Sequence, residues 1–116
     1  MKSTIDKPWG FYQIIEEGTD YIVKKLFIKA DQETSLQSHN HRSEHWIVVN
    51  GFAEITINNA TKTLKTNESI YIPSATKHRI ANRGTDALVI IEVWYGKKLD
   101  ENDIIRYEDK YNRVTK

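Results

Sequence analysis

Five runs of β-branched and aromatic residues, Tyr21 to Ala30, Trp46 to Val49, Phe52 to Ile57, Ser69 to Ile72 and Ala87 to Tyr95, are punctuated by turn-forming residues at Asp31, Asn50, Asn58, Asn67, Ser74 and Gly84. Turn signals at roughly every 8–20 positions are the spacing of an all-β sandwich or small barrel. No stretch before residue 100 repeats its apolar residues at the helical period. Asn50-Gly51 is the strongest hairpin signal, because a type I′ turn needs positive φ at both central residues, and Asn58-Asn59 predicts a second turn. The polar tail from Asp100 to Tyr111 can form one short helix, with Asp100 or Asn102 as its cap.

Composition bounds the function classes. With 17 Lys and Arg against 16 Asp and Glu, the net charge of +1 leaves no footprint for nucleic acid or an anionic membrane, so any bound anion must be met by a local cluster of cations. The 116 residues predict one domain over 1–116, without repeats or linkers and long enough to bury a core without disulfides. No window approaches the ~20 apolar residues of a membrane span, and Met1 to Pro8 lacks the apolar run of a signal peptide. Cysteine is absent, and a cytoplasmic location is the expectation.

Alternation assigns side chains to faces, since i and i+2 point the same way on a strand. From Tyr21, the positions Ile22, Leu26 and Ile28 make an apolar face on which Lys24 also falls; from Ala87, Leu88, Ile90 and Trp94 make another that includes Glu92. Charged groups are almost never buried unpaired. Glu92 therefore requires a cationic, metal or hydrogen-bonding partner, and Lys24 is a candidate interior cation, unless these faces open to solvent near a strand end.

The chemistry-bearing residues concentrate in Ser35-Leu36-Gln37-Ser38-His39-Asn40-His41-Arg42-Ser43-Glu44-His45-Trp46, followed downstream by His78, and these positions hold all four histidines. Imidazole with carboxylate oxygen is the donor set of a borderline or hard divalent metal; the plainer alternative is a surface histidine cluster. The spacing Asp31, Gln37-x-His39, Glu44, Gly51, and the later series Asn67, Pro73-Ser74-Ala75, His78, Asn82, resemble the two motifs of the cupin superfamily. Gln37 stands where the first motif usually has His, and Asp31, Asn67 and Ala75 where glycines are usual. The resemblance implies an all-β, jelly-roll antiparallel barrel with Gln37, His39, Glu44 and His78 as metal ligands. A second register using His39-x-His41 leaves one residue too few before Glu44, and His41 remains the alternative ligand should its loop bring it in place of Gln37. On a regular strand His45 points to the face opposite Glu44.

Four ordered motifs extend the resemblance over nearly the whole chain. Lys7-Pro8-Trp9-Gly10-x-Tyr12, the Ser35 to Trp46 core, Glu68-Ser69-x-Tyr71-Ile72-Pro73, and Asp103-Ile104-Ile105-Arg106-Tyr107-Glu108-Asp109-x-Tyr111-x-Arg113 are similar to the isomerase domain of type II phosphomannose isomerases, with Asn112 where the family tends to have glycine. The resemblance implies interconversion of mannose 6-phosphate and fructose 6-phosphate through an enediolate, with zinc as the expected metal. It also implies a place in GDP-mannose formation beside a sugar nucleotidyltransferase, here a candidate separate partner. Candidate proton-transfer bases are His41, unperturbed near pH 6.5, and Glu92, whose apolar surroundings would raise its pKa. Candidate phosphate-binding cations are Lys24, Arg42, Arg106 and Arg113, the last two alternatively being tail charges paired with Glu108 and Asp109. Trp9, Trp46, Trp94 and the tyrosines are expected in the core or an interface, and exposed sheet edges that need covering predict a homodimer. Two further readings stay open, since fold does not fix function: a different enzyme on the same barrel, either an iron dioxygenase or a nucleotide-sugar isomerase, and a non-catalytic sugar-phosphate-binding module.

Overall fold

Residues Leu88–Tyr95 form a strand in which Leu88, Ile90, Glu92 and Trp94 are buried and the intervening positions are not, the period-2 pattern expected of a pleated strand over a core. The same alternation organises the whole molecule. The computed structural model describes residues 4–114 and contains β1 (Thr4–Lys7), β2 (Gly10–Glu17), β3 (Tyr21–Ile28), β4 (Leu36–Ser38), β5 (Ser43–Asn50), β6 (Ala53–Ile57), β7 (Ala60–Leu64), β8 (Ser69–Ile72), β9 (His78–Ala81), β10 (Leu88–Tyr95) and β11 (Ile105–Glu108). One sheet runs β1-β2-β3-β10-β5-β8 and the other β11-β4-β9-β6-β7. Every pairing is antiparallel, as predicted for an all-β chain. Among the described residues no helix is long and apolar enough to cross a membrane.

The sheets close on an apolar core. Ile28, Trp46, Val48, Leu88 and Ile90 of the first sheet face Ile55, Leu64 and Ile80 of the second. At ~25 cal/mol per Å² of apolar surface, each fully buried aliphatic side chain contributes about 1.5–3 kcal/mol, and this half of the interior holds the barrel shut. The other half is different: Lys24 on β3, Glu44 on β5, His78 on β9 and Glu92 on β10 are all buried there. Gly10 makes the close packing of β2 on β3 possible, since a Cβ at that residue (φ 153°) would lie 1.9 Å from the Phe27 carbonyl oxygen.

Two expectations are corrected. Asn50-Gly51 does not close a type I′ hairpin. Gly51 has positive φ but Asn50 is not among the residues that do, and the strands on either side lie in different sheets, β5 beside β10 and β8, β6 beside β7 and β9. The local turn chemistry sets the bend, but the partner of the next strand is set by burial of Ala53 and Ile55 in the core. The Asn58-Asn59 turn does join a hairpin, β6 to β7, with Asn58 at φ 53°. The tail holds no helix: Asp100 to Ile104 is a turn-rich segment and Ile105–Glu108 becomes β11, pairing with β4. An edge strand there satisfies the backbone of β4, which a solvated helix would not.

Candidate metal centre

Three side chains nominated from sequence converge. His39 follows β4, Glu44 lies on β5, and His78 opens β9; their donor atoms all lie within 4.8 Å of one another. His39 Nε2 is 3.2 Å from His78 Nε2 and 3.2 Å from Glu44 Oε2. Each imidazole is fixed by its other nitrogen: His39 Nδ1–H donates to the Asp103 carbonyl at 2.7 Å and His78 Nδ1–H to the Thr76 carbonyl at 2.8 Å. A carbonyl can only accept, so in the neutral rings both Nε2 lone pairs point into the cluster. Burial holds His39 neutral, its pKa lowered to about 4 despite the attraction of Glu44. Two lone pairs and a carboxylate facing one another form an arrangement that a shared cation stabilises, and imidazole plus carboxylate suits a divalent metal. The donor set fits such an ion.

Arg42 supplies positive charge that partly offsets this negative focus. Its Nε donates to Glu44 Oε2 at 2.9 Å and its guanidinium nitrogen lies 3.1 Å from His39 Nε2. Glu44 is fully buried, and burial alone would raise its pKa; His78, Arg42 and His39 more than offset that and hold it ionised. Glu92 goes the other way, since burial and then the charge of Glu44 beside it raise its pKa well above the ordinary carboxylate value.

Glu44 and Glu92 belong to a four-residue checkerboard on adjacent antiparallel strands. Glu44 of β5 is opposite Trp94 of β10, and Trp46 is opposite Glu92. Each indole N–H donates to the carboxylate two residues before it: Trp46 Nε1 to Glu44 at 2.8 Å, and Trp94 Nε1 to Glu92. The Trp94 ring is then sandwiched between cations, with Lys24 Nζ 3.3 Å and Arg42 Cζ 3.4 Å from its centroid, an arrangement favoured by the ring quadrupole. Lys24 is opposite Glu92 in register and donates to Glu101 Oε2 at 2.7 Å. Burial lowers its pKa, partly offset by Glu92 and Glu101.

All of these groups but His78, which lies behind His39 and Glu44, line a cavity of about 270 Å³ between the sheets, which also takes in Gln37, Arg106 and Arg113. Gln37 is the cross-strand neighbour of His78 on one side and of Arg106 on the other, so its side chain shares their wall. Burial, then the like charge of Arg113, lowers the Arg106 pKa, while Arg113 is held by Asp109 at 2.6 Å. Lys24, Gln37, His39, Arg42, Glu44, Glu92, Arg106 and Arg113 thus reach one cavity. His41 does not. It is exposed and borders a separate surface depression with Lys97 and Lys98, because the loop after His39 turns it outward; its place as base or substitute ligand is corrected on that ground. His45 is exposed and packs on Tyr71, opposite Glu44 as strand alternation requires.

The sequence reading missed Glu101 altogether, and it named Asp103 as the first residue of the tail motif without giving it a role. Glu101 accepts from both Lys24 and the Tyr12 hydroxyl, the latter at 2.9 Å, and the Asp103 carboxylate accepts the N–H groups of Asn40 and His41, each at 2.9 Å. No local pattern marks their contacts, since the partners lie some 60–90 positions away. The second Glu-x-Trp, Glu92-Val93-Trp94, was a readable signal, because it repeats Glu44-His45-Trp46.

Comparison with known proteins gives a consistent answer. The family profile described as mannose-6-phosphate isomerase C-terminal matches residues 1–109. A mannose-1-phosphate guanylyltransferase, ManC, of Salmonella typhimurium is 46% identical over 98% of this chain and 24% of its own length. The chain therefore spans about a quarter of the length of that relative. Among solved structures, an RmlC-like cupin from Shewanella frigidimarina superposes with a TM-score of 0.76 at 18% identity, covering 87% of each chain. The capsular polysaccharide assembling protein CapF of Staphylococcus aureus gives 0.80 at 20% identity, over 93% of this chain and 34% of that one. The fold is that of the cupins.

Proposed function

Because the chain belongs to the mannose-6-phosphate isomerase C-terminal family, we propose that its cavity is the site of an aldose–ketose isomerase that interconverts mannose 6-phosphate and fructose 6-phosphate. The observation that carries this reading is that His39 and Glu44 of the imidazole and carboxylate cluster open into the same cavity as four cations, Lys24, Arg42, Arg106 and Arg113. A sugar phosphate needs both: anchorage of its phosphate at one end, and stabilisation of developing oxyanion charge at the other.

A divalent ion, with zinc the one implied by the resemblance, would be held by His39, Glu44 and His78 with Gln37 as fourth donor, and would polarise the sugar carbonyl and its neighbouring hydroxyl. Arg106 and Arg113 offer paired donors to the phosphate, and this remote contact fixes the reacting carbons in place. Glu92, buried at the cavity wall, moves the proton between C1 and C2 as the enediolate forms and collapses. Arg42 holds the Glu44 carboxylate in its ligating orientation. Trp46 and Trp94 exclude water and lock the two carboxylates by their indole hydrogen bonds. The guanylyltransferase named among the relatives supports a sugar nucleotidyltransferase as functional partner, and a homodimer is the expected assembly.

The test is a coupled assay for fructose 6-phosphate from mannose 6-phosphate, after chelation and after re-addition of zinc, cobalt or manganese. Turnover restored by metal, abolished by His39→Ala and lowered ~10²–10⁴-fold by Glu92→Gln with metal stoichiometry intact, is the expected result. Stoichiometric metal and sugar-phosphate binding without turnover would replace the isomerase with a binding module.

A further inference from the structure

Lys24 is buried, and its ammonium is hemmed in by two aromatic faces. Nζ lies 3.3 Å from the centroid of the Trp94 ring and 4.2 Å from that of Tyr12, contacts that suit a cation but offer it no hydrogen-bond acceptor. The acceptor is Glu101, whose Oε2 takes a hydrogen bond from Nζ at 2.7 Å and whose Oε1 takes one from the Tyr12 hydroxyl at 2.9 Å. Those are the distances at which a ligand's phosphate or carboxylate oxygens would meet the same two donors. Burial alone would raise the Glu101 pKa; Lys24 and Tyr12 hold it below the ordinary carboxylate value, so an anion stands there at neutral pH. The contact is not what shapes the segment carrying it. Asn102 N–H donates to the Asp100 carboxylate at 2.9 Å and Asp103 N–H to the Asp100 carbonyl at 3.0 Å, while Asp103 fastens the segment to the loop after β4. The Glu101 side chain itself is 51% exposed and borders the cavity.

We propose that Glu101 is a specificity-determining residue: a resident carboxylate that fills the anion position built by Lys24 and Tyr12, leaving Arg106 and Arg113 as the place where the cavity takes a phosphate. The two positions belong to different walls, Lys24 to β3 of the six-stranded sheet and Arg106 to β11 of the five-stranded one. A hexose phosphate carries its charge at one end. Two open anion positions on different walls would therefore admit it in two directions, and only one of these can bring the same carbons to His39 and Glu44. Specificity is a difference of affinities, and a like charge set against the wrong pose supplies it as effectively as an attraction in the right one. Arg113 is not masked in the same way. Asp109 engages it through Nε and Nη2, and a guanidinium carries five N–H donors, so donors remain for a ligand.

The inference rests on reading the cavity as a sugar-phosphate site, but its readout is equilibrium binding of inorganic phosphate, so a protein that binds without turnover leaves it standing. Isothermal titration of the full chain counts the phosphate ions bound per chain. Glu101→Gln and, independently, Glu101→Ala are each expected to bind one phosphate more than the parent. Adding Lys24→Met to either is expected to remove the gained ion, and replacing both members of a buried pair is tolerated better than removing one. Phosphate held on a bound metal would be counted equally in parent and variants and cancels in the difference. Glu17→Gln, an exposed carboxylate on β2, is expected to gain none, which separates a built position from a general change of charge. Because the Glu101 side chain is half exposed, near-UV circular dichroism of both single variants should match the parent. No gain in either folded variant overturns the proposal, and so does a gained ion that survives Lys24→Met. A parent that binds no phosphate while both variants gain one upholds the masked position at Lys24 and removes the phosphate position at Arg106 and Arg113 instead.

Discussion

Ala75 sits at φ 57°, a left-handed conformation in which its Cβ crowds the following carbonyl at a cost of roughly 1–2 kcal/mol. Asp31, Asn67 and Asn112, at φ 58°, 73° and 63°, tolerate the region better through local hydrogen bonding of their short polar side chains. All four are positions at which glycine was the usual residue by family resemblance, so the chain has kept the backbone while changing the side chain. The strain at Ala75 serves the site, because its N–H donates to the His39 carbonyl at 2.6 Å. Ala75→Gly is expected to stabilise the fold by about 0.5–1 kcal/mol after the entropy cost of glycine, read as a higher urea midpoint. His39 gives a pH prediction. Its pKa falls from 6.5 unfolded to about 4 folded, so between those values the unfolded chain binds a proton the folded one does not, and stability declines as pH falls. Chelator-treated protein should lose up to about 3 kcal/mol from pH 7 to pH 4 through this residue. Urea titrations at the two pH values should show a smaller loss in His39→Ala.

At the scale of elements, the segment between β10 and β11 acts as a brace. Asp103 holds the loop after β4 twice, by carboxylate to the N–H groups of Asn40 and His41 and by carbonyl to His39 Nδ1. Asp103→Ala removes the carboxylate contacts and lets the loop move, and metal affinity is expected to fall about 10–100-fold, as for other residues that orient a ligand. Isothermal titration with zinc checks this, and an unchanged affinity would leave Asp103 with a purely structural part. This brace was invisible in the sequence because it joins residues about 60 positions apart. The candidate metal donors were legible for the opposite reason. Gln37, His39 and Glu44 lie on one short stretch whose alternation sorts inward from outward, and His78 keeps a fixed interval from Pro73. Alternation also sorted Lys24 and Glu92 inward and His45 outward. It failed for His41, where the chain leaves strand geometry, and at Asn50-Gly51, where the turn was readable but the change of sheet depended on contacts elsewhere.

For the whole molecule, the two halves of the interior divide the work. The apolar half of the interior supplies stability, and the other half spends some of it by burying Lys24, Arg42, Glu44 and Glu92, groups that a barrel selected only for stability would replace with aliphatic side chains. Finally, Trp9, Trp46 and Trp94 are the chain's only tryptophans, and all three line the cavity. The ultraviolet emission of this protein is therefore emission from its cavity walls, without background from indoles elsewhere. Quenching or a wavelength shift on adding an ion or a sugar phosphate would report occupancy optically, with no label attached.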